Sequence, residues 1–252
     1  MRKSFTPFLL LLTSSAFSWS GALGAETVSP AQHPAGGSEA FGSMRASGAG
    51  DGATSTPEPG IDTGALLKVD PSVEAIYGNP QAAVSVISYM DFTCPYCRTL
   101  RPTLRKLVNR SNGQINWVFR HFPLTDAPDG GLLEARAAEC AGQTGGPARF
   151  WAFANQLYNL PRRALPDSEQ AARMAARGSN TDWDVISQCI RQGDTDERIH
   201  KQRVIGVQLG VKATPTLFVV DQASRRYRSI EGAASFATLE REAGLLMKAD
   251  GE

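Results

Sequence analysis

One stretch decides the fold: Val84-Ser85-Val86-Ile87-Ser88-Tyr89-Met90-Asp91-Phe92-Thr93-Cys94-Pro95-Tyr96-Cys97. Residues 83–90 are mostly β-branched and apolar, which predicts a buried strand. The pattern breaks at Asp91, and apolar residues then recur at helical spacing over residues 98–108. Cys94 and Cys97 therefore stand where a strand ends and a helix begins.

The elements on either side of this stretch complete an α/β pattern. A second strand is predicted at 115–122, so that strand, helix and strand form a βαβ unit with a right-handed crossover. Helices are predicted next, over residues 131–141, 150–157, 168–176, 181–191 and 195–209. Strands at 215–220 and 227–231 and a helix at 235–247 follow. The order is therefore βαβ, a block of helices, and ββα.

The amino terminus predicts export. Met1-Arg2-Lys3 precedes a short apolar run and then small residues up to Ala25, which is the arrangement of a secretory signal peptide. The alternative is an uncleaved membrane anchor, but the apolar run is short for a bilayer and is diluted by polar residues. We expect residues 1–25 to be a signal peptide, with its cleavage left open.

Residues 26–68 are predicted to be a flexible linker. Gly, Ala, Ser, Pro and Thr fill 25 of the 35 positions from 26 to 60, so this stretch has little apolar surface to bury. The folded domain is expected to occupy residues 69–252.

The whole chain has 26 basic and 25 acidic residues, and its net charge of +1 argues against nucleic acid as a partner.

The predicted helix start gives Cys94 a distinct chemistry. Unpaired backbone N–H groups and the helix dipole favour an anion there, so the thiol gains thiolate character. A thiolate is both a nucleophile and a good leaving group in disulfide exchange. Pro95 stands early in the helix, where its missing N–H costs nothing, and Cys97 lies one turn along.

Three interpretations of this cysteine pair remain open. A zinc half-site would need two further ligands, and the sequence shows no second CxxC motif or nearby histidine pair. A purely structural disulfide would be unusual at a helix start. Redox exchange fits both the export signal and the βαβ setting, and the sequence favours it. We expect no metal and no cofactor.

Four segments of the chain resemble the DsbA family of thiol:disulfide oxidoreductases, in the thioredoxin superfamily. They are Val84–Cys97, Phe119–Leu124, Ala137–Ala141 and Gly210–Thr216, and the resemblance covers about residues 69–247 in matching order. It implies an α/β thioredoxin fold with an all-helical insertion at about residues 128–209.

The resemblance also implies roles for individual residues. Cys94 would be the attacking thiol and Cys97 the resolving one, while Pro95 and Tyr96 tune the reduction potential. Thr214-Pro215 would hold a cis peptide bond and position the substrate chain. The sequence alone equally allows a trans proline that opens a strand.

Cys140 and Cys189 lie in the helical block. Two buried free thiols are one interpretation, since reduced cysteines pack as small apolar residues. Some members of the family carry a second bridge, and in an exported chain this resemblance favours a structural disulfide between two helices of the insertion.

The chain departs from the family at one position. Many relatives carry a buried glutamate six residues before the first cysteine, as a proton acceptor, and this chain has Ser88 there. Asp91 is the nearest acid, and it either relays protons for Cys97 or caps the local turn. His121, near the end of the second strand, is expected to be structural.

One function fits these features better than two alternatives. We expect an exported, periplasmic, monomeric oxidoreductase that passes its disulfide to folding proteins through a mixed disulfide at Cys94. Its partners would be cysteine-containing exported polypeptides and, as the family implies, a membrane protein that reoxidises it. The alternatives are a disulfide isomerase or reductase, and a non-catalytic module that binds polypeptides and keeps its CxxC disulfide fixed.

Overall fold

The structure is a computed structural model, and it describes residues 62–125, 130–161 and 167–248. All of them belong to the unit Ser47–Glu252. The predicted signal peptide and the predicted linker up to residue 61 lie outside the described residues.

A five-stranded mixed sheet forms the centre of the described fold, in the order β1-β3-β2-β4-β5. The strands are β1 (Ala75–Tyr77), β2 (Val84–Met90), β3 (Ile115–His121), β4 (Thr216–Asp221) and β5 (Tyr227–Glu231). The helices are α1 (Thr63–Leu66), α2 (Pro95–Arg110), α3 (Gly131–Asn159), α4 (Ser168–Gly178), α5 (Trp183–Gln192), α6 (Asp196–Gln208) and α7 (Phe236–Lys248). The thioredoxin fold with an all-helical insertion is confirmed, with α3–α6 inserted between β3 and β4.

Strand β2 is the middle strand of the five and pairs with a neighbour on each side. It runs parallel to β3, with Met90 opposite His121, and antiparallel to β4, with Tyr89 opposite Thr216. Every residue of β2 is buried, which explains why its sequence is mostly apolar. The register brings the carboxyl end of β2 next to the start of β4, and this pairing positions the site described below.

Alternate residues of β2 face two separate cores. Val86 and Met90 join the larger core, in which α2, α3 and α7 cover one face of the sheet. Ile87 and Tyr89 join the smaller core on the other face, where α6 packs on β3. Helix α6 approaches closely because Gly206 has no side chain: a Cβ there would lie 2.9 Å from the ring of Tyr89. The cysteine pair belongs to the larger core.

The insertion has the predicted break between its first two helices. Gly145 and Gly146 have non-helical backbone angles within α3, and Gly146 has a φ of 71°. Glycine adopts this left-handed region without the steric cost that a Cβ would impose. Two helical segments, predicted at 131–141 and 150–157, therefore join at a bend in α3.

The predicted end of the linker is wrong for residues 62–68. These residues form α1 and the turn after it, and Leu67 is fully buried in the smaller core. Their backbone is also held from the sheet: the Arg120 guanidinium donates to the carbonyl oxygens of Leu66 and Lys68 at 2.8 and 3.0 Å. Residues 26–60 are rich in Gly, Ala, Ser, Pro and Thr, whereas the next segment contains Leu66 and Leu67. Because Leu67 has a core to enter, the folded part begins before Val69.

Candidate active site

The chain turns from strand to helix within three residues. β2 ends at Met90, and Cys94 is the N-cap residue of α2, with an extended backbone (φ −72°, ψ 122°). Pro95 occupies the first turn, where no backbone N–H is needed. The Cys94 N–H donates to the Asp91 carbonyl oxygen at 3.2 Å. The Cys94 sulfur consequently stands at the amino end of the helix.

Thr214-Pro215 lies against Cys94 from the neighbouring strand. The Thr214-Pro215 peptide bond is cis, and β4 begins at the next residue. In its protonated form the Cys94 thiol donates to the Thr214 carbonyl oxygen at 3.2 Å, across 120 residues of sequence. The structure therefore brings together the two motifs that the resemblance joined.

The two thiols differ in accessibility. The Cys97 side chain is fully buried, whereas Cys94 keeps a small exposed fraction of 7 %. Tyr96 between them is 65 % exposed and forms part of the surface around the pair. The thiols are not bonded to each other in this structure. A second molecule can reach Cys94, while Cys97 is shielded by the protein.

The two thiols also differ in acidity. The hydrogen bond from the Cys97 thiol, with further bonds from the backbone N–H groups of Cys97 and Tyr96, lowers the pKa of Cys94 to about 5, against the opposing effect of burial. Burial, together with the proximity of Cys94, raises the pKa of Cys97 well above its usual range. At neutral pH the pair holds one proton, on Cys97, and Cys94 is a thiolate.

Asp91 has the geometry of a turn cap. Its Oδ1 accepts from the Thr93 N–H and from the Thr93 hydroxyl, both at 2.7 Å, and its Oδ2 accepts from the Leu124 N–H at 3.0 Å. The side chain is buried against Gly131, where a Cβ would lie 2.3 Å from the carboxylate. Asp91 thus fixes the loop before Cys94 and the start of α3 together.

Ser88 is engaged within the sheet. Its hydroxyl accepts from the Trp117 indole N–H at 2.7 Å and donates to the Val118 carbonyl oxygen at 3.2 Å. The bond to Val118 uses the one O–H donor of Ser88, so this side chain has no hydrogen bond to donate to the cysteine pair.

Tyr158 is a residue of this site that sequence reasoning missed. It is 1 % exposed, and its ring packs on the ring of Phe92 with centroids 5.1 Å apart. Its hydroxyl is buried and has no hydrogen-bond partner among the residues that the structure describes. The sequence carries no motif for such a residue, since only the packing of α3 brings it to the cysteine loop.

Cys140 and Cys189 are joined in a disulfide, away from the cysteine pair at α2. The bridge links α3 to α5, with Cα atoms 5.9 Å apart and 49 residues between them in sequence. Cys140 is fully buried, so the bridge belongs to the core of the insertion rather than to an exchange site.

His121 connects the sheet to the insertion. Its Nε2 lies 3.0 Å from Glu139 Oε1, and the Arg198 guanidinium donates to Glu139 Oε2 at 2.8 Å. Burial opposes ionisation of Glu139, but the bonds from His121 and Arg198 lower its pKa. These contacts are those of a structural residue.

Within the described ranges, no group of three or more His, Cys, Asp or Glu residues could hold a metal ion.

Comparisons with known proteins match this architecture. The thioredoxin family model matches residues 72–236. The solved structure of DsbA2 from Pseudomonas aeruginosa is 28% identical, covers 71% of this chain and 97% of its own, and has a TM-score of 0.51. A periplasmic thioredoxin-like protein from Salmonella enterica serovar Typhimurium, 20% identical, covers 74% of this chain and 96% of its own with a TM-score of 0.59, and shows the same fold.

The matching curated relatives carry the name of Na(+)/H(+) antiporters and are much longer than this chain. Na(+)/H(+) antiporter NhaA 1 of Mycolicibacterium gilvum is 30% identical over 190 residues, which are 72% of this chain and 28% of the antiporter. The chain thus spans about a quarter of the length of the curated relatives it matches. In the part of the chain that the structure covers, no helix is both long and apolar enough to cross a membrane.

Proposed function

The chain belongs to the thioredoxin family, and from this premise we propose that it is a DsbA-like thiol–disulfide oxidoreductase that exchanges disulfides with other polypeptides. The observation that carries the proposal is the difference between its two thiols. Cys94 keeps a small exposed fraction and has a pKa lowered to about 5, whereas Cys97 is fully buried and keeps its proton. Cys94 is thereby the sulfur that bonds to the substrate, and Cys97 the sulfur that opens and closes the protein's own disulfide.

The reaction begins when a substrate thiolate attacks the Cys94 sulfur of the oxidised protein. A bond forms between the substrate sulfur and Cys94, the Cys94–Cys97 bond breaks, and Cys97 leaves as a thiolate that takes up a proton. A second substrate thiolate then attacks the first substrate sulfur, and Cys94 leaves. The substrate has lost two electrons and gained a disulfide, while the protein holds a dithiol.

The contact between Thr214 and Cys94 supports a place for the substrate backbone. Thr214 is in contact with the Cys94 sulfur, and Tyr96 extends into solvent beside it. A peptide segment lying along the Thr214 side of Cys94 would present its own sulfur to the accessible thiol rather than to Cys97.

The acidity of Cys94 supports the direction of disulfide donation. A thiolate that is stable at neutral pH is a good leaving group, and its stability favours the reduced form of the protein. The protein would then act as an oxidant of its substrates. A reductase or isomerase is the alternative direction for the same pair of cysteines.

The proposed setting is an exported one. The signal-like residues 1–25 and the periplasmic origin of one structural relative support it. In such a compartment the substrates would be exported polypeptides with pairs of cysteines, and a membrane protein would return the dithiol to a disulfide. We propose that the protein works there as a monomer.

The decisive experiment measures the reduction potential of the Cys94–Cys97 pair against glutathione, together with the pKa of Cys94 from its thiolate absorbance. We expect a potential well above the value of about −270 mV of thioredoxin and an acidic Cys94. When mixed with a peptide disulfide, the Cys97→Ser variant should accumulate a mixed disulfide at Cys94 with release of the other peptide sulfur as a thiol, while the matched Cys94→Ser variant should form none.

Each other outcome has a definite meaning. A potential close to that of thioredoxin would replace disulfide donation with reduction or isomerisation. A cysteine pair that neither exchanges with glutathione nor oxidises a dithiol would refute enzymatic function and leave the polypeptide-binding module.

A further inference from the structure

The buried thiol of Cys97 poses an electrostatic problem for the proposed reaction. In either direction of exchange Cys97 must carry negative charge, as the leaving sulfur or as the attacking one. Its burial and the neighbouring Cys94 both oppose that charge. The position where the family has an acid holds Ser88, whose hydroxyl is engaged by Trp117 and Val118. A hydrogen bond from the backbone of Asp91 acts in the opposite direction, and a further donor would add to this support of the Cys97 thiolate.

Tyr158 packs against both segments that carry the cysteine pair, the loop before Cys94 and the first turns of α2. Its ring lies 5.1 Å from the ring of Phe92, which belongs to the loop that leads into Cys94. On the other side, the Arg101 guanidinium carbon lies 5.7 Å from the centroid of the Tyr158 ring. Arg101 stands four residues after Cys97, so both side chains lie on the same face of α2.

The hydroxyl of Tyr158 is available for this role. It is fully buried, and none of the described residues accepts its proton. A buried hydroxyl without a partner is destabilising, and proteins keep such groups mainly at functional sites or satisfy them with water. The Asp91 carboxylate also lies near the pair, but both of its oxygens already accept hydrogen bonds, one from Thr93 and one from Leu124.

We propose that the Tyr158 hydroxyl is a positioning group for Cys97: it donates a hydrogen bond, directly or through one water molecule, to the Cys97 sulfur while that sulfur is negatively charged. The inference rests on the proposed exchange function and adds a residue to it.

The hydrogen bond acts at the step in which the disulfide of the protein opens. As the substrate thiolate bonds to Cys94, the electron pair of the Cys94–Cys97 bond moves to Cys97, and the Tyr158 O–H stabilises the charge there. Tyr158 keeps its proton throughout, and Cys97 takes its proton from solvent. Closure of the disulfide passes through the same transition state and gains equally.

The surroundings keep Tyr158 a donor at every working pH. Burial raises its pKa well above the ordinary value, and the charges of Cys97, Asp91 and Cys94 raise it further, with Arg101 acting in the opposite direction. The phenol is therefore neutral whenever the pair reacts, and it cannot serve as the base.

The test is the Tyr158→Phe variant, which removes the hydroxyl and leaves the ring on Phe92. In the full chain, oxidised at Cys94–Cys97, we expect reduced glutathione to open the disulfide about tenfold more slowly than in the wild type. In a Cys94→Ala background, the thiolate absorbance of Cys97 should appear about one pH unit higher once the hydroxyl is gone.

Tyr89→Phe is the matched control. Tyr89 is also a fully buried phenol, but it belongs to the smaller core on the opposite face of the sheet and accepts from Arg120 at 3.0 Å. Its loss should leave the pH profile of exchange unchanged. Unfolding measurements on both variants separate any effect of stability from the effect on Cys97.

Two results would overturn the inference: an unchanged opening rate in Tyr158→Phe, or an unchanged titration of Cys97. Wild-type protein that shows no exchange with glutathione would instead refute the proposed function. In that case the titration of Cys97 in the Cys94→Ala background still decides whether Tyr158 supports the thiolate.

Discussion

Asp91 holds the loop before Cys94 with both of its oxygens. Thr93 donates to one oxygen and the Leu124 N–H donates to the other, so the carboxylate joins two loops at the amino ends of α2 and α3. A group in this position stabilises local geometry. We therefore expect Asp91 to take no part in the transfer of a proton to Cys97.

Asp91→Asn tests this interpretation at the level of one residue. The amide oxygen can still accept from Thr93, but its NH₂ group cannot accept from Leu124, so we expect a loss of about 1–3 kcal/mol in the free energy of unfolding. The pH dependence of disulfide exchange should stay as in the wild type, which steady-state assays across the pH range can establish.

Thr93→Ala is the appropriate comparison for Asp91→Asn, because it weakens the same loop without changing a charge. If Asp91→Asn shifts the pH profile and Thr93→Ala does not, Asp91 relays protons and the turn-cap interpretation fails.

The residues of the site differ in how far the sequence could reveal them. Cys94 and Cys97 can be identified from the sequence by their spacing and by their place between a predicted strand and a predicted helix. Thr214 acts through its backbone carbonyl, which any residue has, so only the resemblance to a family pointed to it. Tyr158 depends on how the end of α3 packs, and no local pattern encodes that packing.

At the level of elements, the long and regular segments were predictable and the short ones were not. β2 and β3 are seven residues long and mainly apolar, as expected for strands buried on both faces of the sheet. β1 has only three residues and α1 only four, too few to show a period. Both are stabilised by distant partners, such as Arg120 for the turn after α1.

The disulfide between α3 and α5 should contribute stability without contributing to exchange. Replacement of both Cys140 and Cys189 by Ser frees a loop with a sequence separation of 49 residues. On grounds of loop entropy we expect a loss of about 4 kcal/mol in the free energy of unfolding. Denaturant unfolding measures this loss.

The same double variant should keep the wild-type reduction potential at Cys94–Cys97, because that pair lies at α2 and the bridge lies within the insertion. A folded double variant without exchange activity would show that the second bridge takes part in electron transfer.

At the scale of the whole molecule, the acidity of Cys94 links folding to pH. Its pKa is about 5 in the folded protein and about 8.5 in an unfolded chain. Since folding favours the thiolate, its contribution to stability is complete above the unfolded value and is lost as the pH falls through the folded value.

We therefore expect the reduced protein to gain stability over its Cys94→Ser variant as the pH rises from about 5 to about 8.5. The comparison uses a background in which Cys140 and Cys189 are both Ser, so that reductant acts on the catalytic pair alone. A constant difference between the two unfolding curves across this range would contradict the low pKa of Cys94.

The four cysteines also bear on how a newly made chain reaches its correct pairing. Cys140 is about as far along the chain from Cys97 as from Cys189, so loop closure alone barely distinguishes a wrong bridge from the right one. Once Cys94 and Cys97 are bonded to each other, however, Cys140 has a single partner left. Early formation of a Cys94–Cys97 disulfide would thus keep these two thiols from pairing wrongly with Cys140 or Cys189, and would leave the structural bridge as the one remaining pairing.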